Sequence, residues 1–163
     1  MIGRILSSRR ALAGIAAALA LALIGAALVL QFRQGLEPCP LCILQRYAYV
    51  LVAALALLAA FLPRLLSRGF AWLGILAALA GAGTGIWHVW LQLHPPVISS
   101  CGASLEYMVS NLPLGRVLPR IFRGFGDCSE IDWSFLGITI PGWSAIWLLV
   151  LAFLLYRSQG RRG

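Results

Sequence analysis

"ALAGIAAALALALIGAALVL" runs from Ala11 to Leu30, twenty residues without one polar side chain. At 1.5 Å rise per residue a helix of that length reaches about 30 Å, the thickness of a bilayer's hydrocarbon. A helix in a soluble domain needs only an apolar stripe. One that is apolar all the way round belongs in lipid or deep inside a large core. Arginines precede the run, as they do in a secretory leader. Its apolar core is longer than a leader's, however, and "QFRQG" at 31–35 offers no small-x-small cleavage site. The run therefore reads as a retained membrane helix.

The rest of the chain follows the same pattern. Of 163 residues 61% are hydrophobic and 11% are charged, too little charge to cover a soluble domain of this size. Three further apolar stretches lie at 43–62, 70–91 and 137–156. The second is interrupted only by Gln45 and Arg46, the third contains Thr84 and His88, and the fourth has Pro141 near its start. The expected fold is an all-α membrane protein, a single domain over 1–163. Its four transmembrane helices form a bundle, with loops at 31–42 and 92–136, the long loop joining helices three and four. The net charge of +8 is no nucleic-acid footprint, because the 13 basic residues are all arginine and form no single solvated patch.

Charge asymmetry sets the orientation. Arg4, Arg9, Arg10, Arg64, Arg68, Arg157, Arg161 and Arg162 fall on one side of a four-span chain, without an acid. The other side has Arg33, Arg46, Arg116, Arg120 and Arg123, together with every acid: Glu37, Glu106, Asp127, Glu130 and Asp132. An excess of arginine marks the cytoplasmic side. Both termini are then cytoplasmic, and Cys39, Cys42, Cys101 and Cys128 lie outside, which in a bacterium is the oxidising periplasm.

Cys39 and Cys42 stand in "LEPCPLCILQRYA" at 36–48. Pro38 and Pro40 disfavour helix before Cys42, so the second helix is expected to begin near Leu41 or Cys42. Cys42 would then sit among the unpaired N–H groups of a helix N-terminus, where a thiolate is favoured. Arg46, four residues on, adds a fixed positive charge on the same face. The alternative is a structural disulfide beside a snorkelling arginine, but so short a loop gives a disulfide little entropic value. Cys101 and Cys128, taken alone, read as a structural bridge in the long loop. A zinc site built from all four cysteines is disfavoured: there is no second close pair, and an oxidising compartment favours disulfides.

Gly81, Gly85 and His88 step by four and three along the third span and so share one face, the small-residue face that packs inside a bundle. His88 is thus expected to point inward at a depth near Arg46. It is either a functional group or an interfacial histidine bonded to a carbonyl. Trp87, Trp90, Trp133 and Trp143 suit membrane-interface anchors, and Trp143 also suits the wall of a pocket for a ring-shaped ligand. In the long loop Leu114, Val117, Leu118, Ile121 and Phe122 fall at helical spacing opposite Arg116, Arg120 and Arg123. This pattern fits either a stretch lying on anionic lipid or a cover for the bundle.

With these pieces in order, the chain resembles the DsbB family of bacterial inner-membrane disulfide-forming proteins. The resemblance rests on "PCPLC" with Arg46 beyond it, "HVWLQLHP" leading to Cys101, "GDC" ending at Cys128, then "DWSFLG" and "PGW". Gln45 stands where the family often has a charged residue. The resemblance implies an enzyme, a quinone-dependent thiol-disulfide oxidoreductase. It would reoxidise a DsbA-like periplasmic oxidase of thioredoxin fold and pass the electrons to a membrane quinone, ubiquinone-type before menaquinone, with no metal. It further implies that Cys101 is attacked by the partner, that Cys128 is its mate and attacks Cys39, and that Cys42 faces the quinone beside Arg46 and His88. The implied partners are that oxidase, the quinone and the bilayer, with no nucleic acid. Two other readings stand beside it. A vitamin K epoxide reductase-like protein would carry its close cysteine pair late, on the last helix. A non-enzymatic membrane protein would hold two structural disulfides.

Overall fold

The computed structural model describes residues 8–35, 39–94 and 134–160. Helix α1 spans Arg9–Gln34. Ser8 caps it, its hydroxyl oxygen accepting the Ala11 N–H at 3.2 Å, and Gly35 ends it in the left-handed region at φ 64°. Helix α2 spans Pro40–Phe61 and stops one residue before Pro63, which cannot continue an amide ladder. Helix α3, Arg64–Leu93, is the longest at 30 residues, and His94 ends it just before Pro95. Helix α4 spans Ile140–Gln159. All four are long and apolar enough to cross a membrane.

A small hairpin precedes α4. Strand β1, Ser134–Phe135, pairs antiparallel with β2, Ile138–Thr139, and the turn between them places Leu136 and Gly137 at φ 53° and 77°. Two successive positive φ values make the tight turn that matches strand twist. The fourth helix therefore starts at Ile140 and not at 137, because residues 136–139 are spent on the turn and the return strand.

The chain runs up and down. Helix α1 packs on α2 and α4, α3 packs on the same two, and α2 and α4 meet only along a short diagonal. The interior is built from small side chains: Ala13, Ala16, Ala17 and Ala20 of α1 face Ala53 and Ala56 of α2, Ala78 of α3 and Leu148 and Leu151 of α4 in one cluster. Glycines bring α3 close to its neighbours. A Cβ on Gly81 would lie 2.7 Å from Ala48 Cβ, and one on Gly74 would lie 2.9 Å from Leu155 Cδ1. The outward faces carry large apolar groups such as Val29, Phe61, Leu76, Ile86 and Phe153, all exposed. A continuous apolar exterior of this kind suits lipid.

This topology collects the end of α1, the start of α2, the end of α3 and the start of α4 at one end of the bundle. The opposite end holds Arg9, Arg64 and Arg157. There Ser67 and Ser158 are buried and donate to the carbonyls of Ala59 and Leu155, each at 2.6 Å.

Candidate functional site

Cys39 is the N-cap of α2. Its backbone is extended, and its sulfur accepts the N–H of Cys42 at 3.4 Å. Pro40 occupies the first helical position, where a missing N–H removes nothing from the ladder and the fixed φ suits the helix. The helix thus begins before Leu41, earlier than its prolines suggest, and the Cys39 sulfur receives a first-turn amide. The N-cap to N3 bond also explains the spacing. A side chain at the cap meets the amide three residues on, so it holds Cys39 Sγ beside Cys42. The two sulfurs stand 3.3 Å apart as neighbouring thiols.

His88 comes to this pair from α3. It is 2% exposed, and its Nε2 lies 3.7 Å from Cys39 Sγ, within hydrogen-bonding reach for sulfur. Gly85 and Gly81 are buried on the same face, one and two turns below. The ligating atoms of Cys39, Cys42 and His88 all lie within 4.8 Å of one another.

Arg46 sits one turn beyond Cys42, partly buried. Its Nη1 donates to Gln31 Oε1 of α1 at 2.6 Å. A neutral amide oxygen fixes its position and leaves its charge intact.

Gln45 faces the bundle interior at 4% exposure. It lies four residues from both Leu41 and Tyr49, which are buried with it. Its side chain fills the space that Gly85 leaves: a Cβ there would collide with Gln45 Nε2 and come within 3.1 Å of the Pro141 carbonyl. Among the described residues no acceptor takes the Nε2 protons. Deeper along the same face the Tyr49 hydroxyl donates to the Ser144 carbonyl at 2.9 Å, tying α2 to α4. Thr139 donates to Gln92 Oε1 at 2.7 Å, and Trp143 Nε1 donates to the Phe135 carbonyl at 3.1 Å. Trp143 therefore fastens the hairpin to α4. Trp87 and Trp90 stack on the outer surface of α3, with ring centroids 4.9 Å apart.

Cys39, Cys42 and His88 are thus brought together, with Arg46 a turn away. Cys101, Cys128, Trp133 and the amphipathic stretch at 114–123 lie outside the described residues. Gln31 and the Tyr49–Ser144 tie were not read from the sequence. The burial of Gln45 had a signal in its four-residue spacing from Leu41 and Tyr49. Gln31 had a weaker one, as the first polar residue after the apolar run of α1.

These features define a class: a multi-pass membrane protein with a close dithiol at the mouth of its second helix, beside an inward histidine. A family model described as "Disulfide bond formation protein DsbB" matches residues 9–157. The chain is 46% identical over 144 residues to a disulfide bond formation protein B of Aromatoleum aromaticum, covering 86% of this chain and 87% of that one. It is 48% identical over 140 residues to one from an Azoarcus species (78% and 84% covered). A third, from Methylococcus capsulatus, is 48% identical over 134 residues (80% and 81%). The chain belongs to the DsbB family. Membership brings the coarse activity with it, a thiol-disulfide oxidoreductase that serves disulfide formation.

Proposed function

We infer that the protein reoxidises a soluble periplasmic dithiol oxidase of thioredoxin fold, DsbA-like, and delivers the electrons to a membrane quinone. The observation that carries this reading is the meeting of the Cys39–Cys42 pair with buried His88, with Arg46 one turn beyond Cys42 on the same helix. A quinone is apolar except at its carbonyls, so it reaches this end of the bundle through lipid. Arg46 supplies a cation for the oxygen on which negative charge develops. The excess of arginine at the opposite end supports termini in the cytoplasm, cysteines in the periplasm and residence in the bacterial inner membrane.

The exchange balances as follows. A thiolate of the partner attacks Cys101, the Cys101–Cys128 bond opens, and Cys128 leaves as thiolate. Cys128 attacks Cys39, and Cys42 leaves. The partner's second thiolate displaces Cys101, which completes the partner's disulfide. Cys101 then attacks Cys128, restoring that bond and leaving Cys39 and Cys42 reduced. The dithiol gives two electrons and two protons to the quinone, forming the Cys39–Cys42 disulfide and a quinol. Each transfer needs a free thiolate and an accessible sulfur.

The test mixes purified protein, ubiquinone and a reduced DsbA-like partner. One quinone consumed per partner disulfide formed is the expected result. A partner that stays reduced while the quinone is untouched would favour a protein with two structural disulfides.

A further inference from the structure

The geometry points to a thiophilic metal site: in the dithiol state Cys39, Cys42 and His88 bind one Zn²⁺ ion, which closes the electron route. Structural and catalytic zinc sites take thiolate sulfur at about 2.3 Å and imidazole nitrogen at about 2.0–2.1 Å in tetrahedral geometry. Those bonds put two sulfurs about 3.8 Å apart and sulfur and nitrogen about 3.6 Å apart. Here the sulfurs are 3.3 Å apart and Cys39 Sγ is 3.7 Å from His88 Nε2. All three ligating atoms lie within 4.8 Å of one another. To seat the ion the sulfurs part by about half an ångström, and Cys42 Sγ and His88 Nε2 close to about 3.6 Å from a separation bounded by 4.8 Å.

The donor set is right as well as the spacing. Two thiolates and an imidazole select a soft or borderline d¹⁰ ion over magnesium or calcium. His88 is held on α3 and Cys39 on the first turn of α2, so two rigid elements present the ligands. The Cys42 N–H on Cys39 Sγ is an outer-shell bond to a ligand sulfur, of the kind that orients metal ligands. Three protein ligands leave a fourth position for water.

Binding involves no change of oxidation state. Two thiols lose two protons and form two zinc–sulfur bonds. A disulfide has no thiolate to offer, so zinc and the Cys39–Cys42 bond exclude each other. The ion captures the protein after it has taken electrons and before it has released them. The ligation needs only the three side chains. The inhibition rests on the proposed electron route through the same dithiol.

The test uses the full chain carrying Cys101→Ser and Cys128→Ser, so that only Cys39 and Cys42 supply thiols. Cobalt(II) reports ligation through thiolate-to-metal charge-transfer bands and tetrahedral d–d bands, and zinc affinity is read by displacing it. One equivalent is expected to bind to the reduced protein and none to the same protein with its Cys39–Cys42 disulfide formed. His88→Gln is expected to weaken binding by about tenfold or more. Reduced protein that binds no tighter than oxidised protein overturns the site. Unchanged affinity in folded His88→Gln overturns the role of the histidine. A parallel arm measures quinone reduction by the native chain with and without zinc. Tight binding without inhibition leaves the metal site standing and removes the electron route. Turnover without any metal binding leaves the route standing and removes the site.

Discussion

Arg46 is the residue on which the quinone reading turns. Its guanidinium donates to the neutral Gln31 Oε1 of α1 at 2.6 Å. A charge-assisted hydrogen bond contributes about 1.5–3 kcal/mol, so losing one at a quinone oxygen weakens apparent quinone affinity roughly 10- to 100-fold. Arg46→Ala is expected to raise the quinone KM by that factor and to slow quinone reduction. Arg46→Lys is expected to fall between, since it keeps charge and loses the planar fork. Gln31→Ala is expected to raise KM less than Arg46→Ala, because it frees the guanidinium without removing it. Trapping of a partner at Cys101 should persist in all three. Steady-state quinone reduction against quinone concentration checks this, and unchanged kinetics in Arg46→Ala would reduce the residue to an interface arginine.

At the scale of elements, close approach of helices and one tight turn carry the site. Gly85 lets Gln45 lie flat between α2, α3 and α4. Gly85→Ala is expected to cost about 1–3 kcal/mol by overpacking. Adding Gln45→Ala should recover part of the loss, since the two changes share one space. Thermal unfolding in detergent reads both, and additive losses would contradict the shared space. The hairpin makes a second case. Leu136 adopts φ 53° although it carries a Cβ, and it is 77% exposed. Left-handed backbone costs an ordinary L-residue about 1–2 kcal/mol, and asparagine before glycine suits this turn. Leu136→Asn is therefore expected to raise the unfolding temperature slightly. A lower temperature would mean that the leucine side chain is itself anchored in lipid.

What could be read in advance differed between these elements. Helix α1 was legible because twenty apolar residues, in a chain too small for a core that would bury them all round, fit only in lipid. His88 could be assigned an inward face because Gly81 and Gly85 mark that face, and the structure buries all three. The start of α4 was not legible, since nothing in a leucine announces a positive φ. Pro40 reads as a helix breaker and serves as the first helical residue, so the cap fell to Cys39. The bond from Arg46 to Gln31 joins residues 15 apart on different helices, and local spacing carries no information about it.

At the scale of the whole molecule, the fold and the proposed electron route meet at one end. A bundle of four apolar helices gathers a dithiol, a histidine and an arginine at one end. On the proposed route, electrons leave through Cys39 and Cys42. The most direct measurement removes the donor side with Cys101→Ser and Cys128→Ser, reduces the protein fully, and adds ubiquinone without any partner. Thiols and quinol are counted after one turnover. The account predicts that two thiols per chain disappear, that the Cys39–Cys42 disulfide forms and that one quinol appears for each. Thiols that persist beside unreacted quinone, in protein that remains folded, would contradict it.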